Sequence, residues 1–184
     1  MSLTSLRMDS DTADWPDARP RDRLLALGLI VLRVGLGIVL LTNTYSKLGP
    51  QTDRIPPFQG FLITLDGARN ILAYDVQGHP IELYRRFIED VVLAHWGLFG
   101  TVLVLSEGVV GLCLLLGAFT PLAALTGAGM FLHLAFANIH RQDKWLFEYW
   151  IEALPMVTLA LTRAGRYWGV DAALARRFPR WPIT

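Results

Sequence analysis

The sequence contains little cysteine and almost no excess charge of either sign. Cys113 is the one cysteine among 184 residues. A single cysteine forms no intrachain disulfide and has no partner at a zinc-finger spacing, so a disulfide-stapled fold and a cysteine-based metal site are excluded. The 17 lysines and arginines are balanced by 16 aspartates and glutamates. This balance provides no basic surface and argues against a nucleic-acid partner.

Motifs for common cofactors are lacking as well. The sequence has no nucleotide-binding glycine loop, no nucleophile elbow and no HExxH, and so carries no metal or nucleotide signature. A redox function would therefore depend on a lipid-soluble carrier, on a cofactor without a sequence signature, or on a partner subunit.

What the chain does have is four long apolar runs, at 24–42, 96–119, 121–139 and 145–162. Each is close to the roughly 20 residues with which a helix crosses about 30 Å of hydrocarbon. Buried helices of soluble proteins are shorter and keep a polar stripe, whereas these runs are apolar on nearly all sides. The runs predict an all-α integral membrane protein built as a four-transmembrane-helix bundle.

The predicted organisation has one membrane domain at 24–175, between a flexible polar N-terminal tail at 1–23 and a C-terminal tail at 176–184. The four spans are predicted at about 24–46, 94–118, 121–139 and 145–163. Gly117 as a helix C-cap, Thr120 as an N-cap and Pro121 in the next first turn predict a tight antiparallel hairpin. Short connections then favour a helix order of 1-2-3-4, and slightly more basic residues on the side of the termini predict that both termini are cytoplasmic.

The long first connection, 49–95, contains a second helical pattern. Five apolar residues recur at helical spacing, with charged residues opposite them: Ile81, Tyr84, Phe87, Ile88 and Val91. This pattern predicts an amphipathic helix that lies on the membrane surface or leads into the second span.

Charged residues inside the spans are the first functional candidates, because an ionisable group in hydrocarbon is costly and usually faces the bundle interior. Arg33 and Glu107 both fall near the middle of their spans, which predicts a buried ion pair between them. Such a pair has either a structural or a functional role. Glu107, Arg33 and Glu152 are the predicted catalytic residues, with a glutamate accepting protons beside a quinone.

A second group of candidates lies in the half of the membrane near the long connection. The predicted substrate-binding residues are Lys47, Arg85, Arg86 and His133, of which the three basic side chains are the candidates for an anionic substrate. Glu148 is one helical turn before Glu152 and is interpreted as interfacial. Haem ligation by His95 and His140 is a weaker alternative.

Several segments together resemble the DoxX-like family of four-helix membrane proteins. They are LRVGLG at 32–37 followed by Lys47, SEG at 106–108, GLCLLLG at 111–117 and TPLAA at 120–124. The ending AGRYWGVD at 164–171, with the HPIELYRRFIEDVV helix of the first connection, is most similar to the DoxD-like small subunit of thiosulfate:quinone oxidoreductase (TQO).

The resemblance implies a multi-pass subunit of a bacterial or archaeal plasma membrane that passes electrons from thiosulfate to a quinone, yielding tetrathionate, alongside a second protein subunit. The positions that match the family are Arg33, Lys47, Glu107, Gly165, Arg166 and Asp171. The last three form the terminal motif, in which Asp171 is predicted to cap the following short helix or to pair with Arg166. The alternative is a non-catalytic accessory subunit of a larger membrane complex.

Overall fold

The computed structural model describes residues 20–49, 63–145 and 147–178. These residues are helical, with no strand among them. The helices are α1 (Pro20–Leu48), α2 (Leu65–Asp75), α3 (Glu82–Arg86, continued by a π-helix at Phe87–Leu93), α4 (Trp96–Leu116), α5 (Thr120–Ala137), α6 (Phe147–Leu161), a 3₁₀ turn (Ala164–Arg166) and α7 (Val170–Arg177). Most of both predicted tails, at 1–19 and 179–184, lies outside the described residues.

Three of these helices are long and apolar enough to cross a membrane: Asp22–Leu48, Trp96–Leu116 and Thr120–Ala137. The chain is therefore a multi-pass membrane protein. The fourth predicted span corresponds to α6, which has 15 residues and is about 22 Å long at 1.5 Å per residue. That length is less than the hydrocarbon thickness, so the count of four spans stays a prediction.

Helices α1 and α4 pack so closely that their backbones touch. A Cβ atom on Gly37 would lie 2.8 Å from the amide nitrogen of Leu115 and 3.0 Å from the carbonyl oxygen of Gly111. Two helical turns further along α1, the methyl group of Thr44 lies against Gly108 of α4. Small residues are what permit such an approach, and these contacts fix the antiparallel register of the two helices.

In that register the two helices are staggered along their axes. The guanidinium of Arg33 lies against Gly117, just past the end of α4, whereas Lys47 at the other end of α1 reaches Glu107 in the middle of α4. Helix α1 begins at Pro20 and so extends about 13 residues, or about 20 Å, past the end of α4. The 3₁₀ turn after α6 packs beside this extension.

The turn between α4 and α5 has the predicted form, with one correction. Gly117 ends α4 in the left-handed conformation, with φ 65°, and Pro121 lies in the first turn of α5. Thr120 is not the N-cap, because it is already the first helical residue and Phe119 precedes it as the cap without a side-chain hydrogen bond. A side chain from the far end of the sequence supplies that bond, as described below.

The predicted helix order is confirmed, since α1 packs on α4, α4 on α5 and α5 on α6. Helix α6 is antiparallel to α5: Tyr149 at its start reaches Asn138, and Gly165 beyond its end lies against Thr120. The core between these helices is apolar and contains many small side chains, among them Ala124, Ala128, Met156, Leu159 and Ala160.

The long connection contains more helix than the sequence predicted. The predicted amphipathic helix is present as α3 and its π-helical continuation, and α2 precedes it. The hydroxyl of Thr64 caps α2 by accepting the Gly67 amide. Val76, Ile88 and Val92 form a second apolar core, against which Trp96 and Phe99 of α4 pack. The connection therefore covers the part of α4 that α1 does not reach.

Candidate functional site

A cavity of about 400 Å³ lies between α1, α4 and α5. Its wall is mostly apolar and comes from Leu40, Leu103, Met130, Phe131, Leu134 and small residues of α5. Four polar side chains converge on it: Asn43, Glu107, Thr126 and His133. We call this cavity the cleft. An apolar pocket with a few convergent polar groups is the usual form of a small-molecule site.

Glu107 is the charged group at the inner wall of the cleft. The ammonium of Lys47 donates to both carboxylate oxygens of Glu107, at 2.8 and 3.0 Å. Both residues are buried, with 6% and 7% of their surface exposed. A buried carboxylate and ammonium in this geometry compensate each other, whereas either alone would be a costly buried charge.

The predicted pair between Arg33 and Glu107 is wrong. Arg33 is buried, but its Nη2 donates to the carbonyl oxygen of Trp168 at 3.3 Å. Arg33 and Lys47 are 14 positions apart on α1, or about 21 Å, and it is Lys47 that lies at the level of Glu107. Arg33 therefore belongs to a contact between the α4–α5 turn and the terminal motif.

His133 connects the cleft with the surface helix α3. Its Nε2 lies 3.0 Å from the hydroxyl of Tyr84, and the two rings meet edge to face. Burial, and secondly the carboxylate of Asp75, raise the pKa of Tyr84 to about 12. The phenol of Tyr84 therefore stays protonated at physiological pH. Tyr84 entered the sequence analysis only as one apolar position of an amphipathic helix.

Asp75 is a buried charged residue that the sequence analysis did not single out. It is 1% exposed, accepts a hydrogen bond from the Asn138 amide at 3.0 Å and lies 3.4 Å from the ammonium of Lys144. The hydroxyl of Tyr149 joins the same cluster through Asn138. This cluster fastens α2 to the end of α5 and the start of α6, and so holds the long connection over the bundle.

The predicted anion-binding residues are not brought together. Lys47 is buried beside Glu107, whereas Arg85 and Arg86 form ion pairs with Glu82, and Arg85 also with Glu89. The hydrogen bonds that Arg85 donates to Glu82 and, secondly, to Glu89 raise the pKa of Arg85. The two arginines are thus already neutralised by acidic residues of their own helix.

Glu152 does not face the bundle interior, so that expectation is wrong. It is exposed on α6, as is Glu148, whereas the buried face of the helix consists of Ala153, Met156, Leu159 and Ala160. The polar positions of α6 fall on the side away from α5 because the small and apolar residues take the packed side. Glu152 is not part of the cleft lining.

The histidines proposed as alternative haem ligands both bond to backbone. His140 Nε2 lies 2.8 Å from the Gln77 carbonyl oxygen, and His95 Nδ1 lies 2.9 Å from that of Val91. Within 20–49, 63–145 and 147–178, no group of three or more His, Cys, Asp or Glu side chains is arranged to hold a metal ion.

The terminal motif closes the opposite end of the bundle. Asp171 accepts hydrogen bonds from the amides of Phe119 and Thr120, at 2.6 and 2.8 Å, and thereby caps α5. The prediction that Asp171 caps its own helix is wrong, because Gly169 is the N-cap of α7. Gly165 lies against both Asp171 and Thr120, and Arg166 ends the 3₁₀ turn that follows α6.

Comparison with known proteins identifies a family for the chain. Neither the curated proteins nor the solved structures contain a match to the chain. A family model described as "TQO small subunit DoxD" matches residues 25–184, which include the bundle, the long connection and the terminal motif. The chain therefore belongs to the DoxD family, the small subunits of TQO.

Proposed function

We propose that this chain is the membrane subunit at which a TQO-like complex reduces quinone, and that the quinone head group binds in the cleft. The observation that carries the proposal is the cleft itself, which combines an apolar wall with Asn43, Glu107, Thr126 and His133. A quinone has a flat apolar ring and two carbonyl oxygens, so it needs both kinds of surface.

The reaction proposed for the complex balances as two half-reactions. Two thiosulfate dianions give up one electron each as a sulfur–sulfur bond forms between them, which yields tetrathionate. The quinone takes the two electrons and two protons and becomes a quinol. The chain is proposed to perform the second half-reaction, with a further protein subunit in the same complex.

Lys47 and Glu107 are proposed to act together at the quinone. Negative charge develops on a quinone oxygen as electrons arrive, and a fixed ammonium at low dielectric favours that charge. Glu107 lines the cleft and Lys47 does not, so Lys47 acts through its pair with Glu107. The Glu107 carboxylate holds the ammonium in place with two hydrogen bonds and is itself able to exchange a proton. Both residues match the family resemblance. Arg33 matches it as well, but it is proposed to stabilise the terminal motif.

A substitution that fills the cleft tests the proposal. Gly129 lines the cleft, and a Cβ added to it meets no atom within 4 Å. We expect Gly129→Leu to fold, since leucine is the better helix former, and to raise the KM for a soluble quinone such as decylubiquinone about tenfold or more. The measurement is thiosulfate-dependent quinone reduction by the purified complex, with quinone binding followed by tryptophan fluorescence.

Gly35→Leu is the matched control. Gly35 is also an exposed helical glycine with no atom within 4 Å of an added Cβ, but it does not line the cleft. The Gly35→Leu variant should therefore have the same KM for the quinone as the wild type. Equal KM values for both variants would contradict binding of the quinone in the cleft. A small subunit that neither binds quinone nor affects turnover of the complex would favour the accessory role.

We further propose that α6 is the fourth span and that both termini are cytoplasmic in a bacterial or archaeal plasma membrane. Trp145 and Trp150 are exposed near the start of α6, and Trp168 is 81% exposed beyond its end, as expected for rings at two membrane interfaces. A reporter fused after Thr184 should be active only on the cytoplasmic side. Activity on the outer side alone would contradict this topology.

A further inference from the structure

His133 and Tyr84 form a polar connection between the cleft and the aqueous side of the long connection. His133 lies in α5, one turn before its end, and lines the cleft. Tyr84 lies in α3, outside the three spans. Their side chains are 3.0 Å apart, which is within reach of direct proton transfer.

Resting on the proposed function, we propose that Tyr84 and His133 form the relay that carries protons from the water beside α3 to the quinone in the cleft. Each quinone consumes two protons, and Glu107 cannot take them directly from water because it is buried and paired with Lys47. His133 lines the cleft together with Glu107, and Tyr84 contacts His133 from the side of α3.

The surroundings of the relay fit a neutral proton carrier. Tyr84, whose pKa of about 12 keeps its phenol protonated, gives a proton to Nε2 of His133 as it takes another from water. The remaining nitrogen, Nδ1, is then the one that serves the quinone oxygen. In each transfer an O–H or N–H bond breaks as the next one forms, so the relay moves protons and no electrons.

The titratable groups near Tyr84 and His133 make other contacts. His79 stacks on Tyr84 at 4.6 Å, but its Nδ1 accepts from the Ile81 amide and its Nε2 faces the Phe136 carbonyl, so both ring nitrogens are engaged. His140 stacks on His79 and contacts the Gln77 carbonyl. Asp75 is held by Asn138 and Lys144, and Glu107 lies across the cleft.

The test uses Tyr84→Phe and His133→Ala in the complete complex, with decylubiquinone as the probe. Proton transfer by a positioned group accelerates a reaction roughly 10²–10⁴-fold, and water replaces part of this effect, so we expect kcat to fall about tenfold in both variants. The dissociation constant of the quinone should stay unchanged in Tyr84→Phe, because Tyr84 does not line the cleft. Added imidazole should restore turnover of His133→Ala, since it replaces the lost carrier. His133→Gln should lose the component of the wild-type pH profile that the imidazole ring contributes.

Tyr74→Phe is the matched control. The Tyr74 hydroxyl also bonds to a side chain, that of Asp143 at 2.9 Å, but it lies away from the cleft. The kcat of Tyr74→Phe should therefore equal that of the wild type. The melting temperature of each variant identifies any loss of folding, and His133→Gln, which keeps a polar side chain of similar size, replaces His133→Ala if the latter unfolds.

Three results would overturn the relay. Wild-type kcat and pH profile in Tyr84→Phe and His133→Gln would show that protons take another route. A higher quinone dissociation constant with unchanged kcat, or no rescue by imidazole, would make His133 a binding or structural residue. In these cases Gly129→Leu still raises the KM and the proposed function stands. If the wild-type complex neither binds quinone nor reduces it, both the proposed function and the relay are contradicted.

Discussion

Replacing Glu107 with Gln should lower the free energy of unfolding by roughly 3–5 kcal/mol, the cost of breaking a buried ion pair. The Lys47 ammonium has both Glu107 oxygens within 3.0 Å and would be left as an uncompensated buried charge. The measurement is unfolding by sodium dodecyl sulfate in detergent micelles, followed by circular dichroism. Quinone reduction should fall as well, because the ammonium loses the carboxylate that positions it.

A double substitution separates stability from chemistry. Lys47→Met with Glu107→Met removes both charges, and replacement of a buried pair by hydrophobic residues of similar volume is often neutral or stabilising. We expect the double variant to recover most of the lost stability but none of the lost turnover. Recovery of turnover together with stability would make the pair purely structural.

Glu82→Gln is the control for the loss of any ion pair. Glu82 binds Arg85 and Arg86 on the surface of α3, where about half of its side chain is exposed. Such exposed pairs contribute little to stability because water screens them, so this variant should unfold almost like the wild type. An equal loss of stability in Glu82→Gln and Glu107→Gln would contradict the burial of the pair between Lys47 and Glu107.

The helices and their order were predictable because they follow from local properties of the sequence. Length and apolar composition predict α1, α4 and α5, and Gly117 followed by Pro121 predicts the turn between the last two. Glu107 and Arg33 were also recognised as interior charges, since a charge inside an apolar run has few alternatives to burial. The same reasoning failed for Glu152, which is exposed.

The pairing of those charges was not predictable, because it depends on how far one helix is shifted along another. Counting depth from the middle of each span places Arg33 opposite Glu107. The close contact of Gly37 with Gly111 and Leu115 shifts α1 toward the terminal motif instead, so that Lys47 arrives at Glu107. Register of this kind is set by the fit of small residues, which the apolar pattern does not encode.

Asp75 and Tyr84 were missed for a related reason. Asp75 lies in a polar stretch of the long connection, where an acidic residue ordinarily faces water, and Tyr84 was recognised only as one apolar position of the amphipathic helix. Asp75 is buried because Asn138 and Lys144, more than 60 positions away in sequence, lie beside it, and Tyr84 is a site residue because of His133. Contacts over such separations follow from the assembled fold.

Replacing Gly165 with Ala should destabilise the protein by about 2–4 kcal/mol, from overpacking of a tight site and weakening of a helix cap. An added Cβ would collide with the Asp171 carboxylate and the Thr120 hydroxyl. Asp171 cannot yield without loosening its hydrogen bonds to the amides of Phe119 and Thr120. The melting temperature in detergent should fall accordingly, although Gly165 lies at the end of the bundle opposite α2 and α3.

Two further variants isolate the cause. Gly28→Ala on α1 meets no atom within 4 Å and should be neutral or stabilising by up to about 1 kcal/mol, the helix preference of alanine over glycine. Thr120→Ala removes one of the two colliding atoms, a hydroxyl that has no hydrogen-bond partner among the described residues, so combining it with Gly165→Ala should recover part of the loss. If Gly165→Ala were as stable as Gly28→Ala, the terminal motif would not be packed against the α4–α5 turn, and Arg33 would have to be stabilised elsewhere.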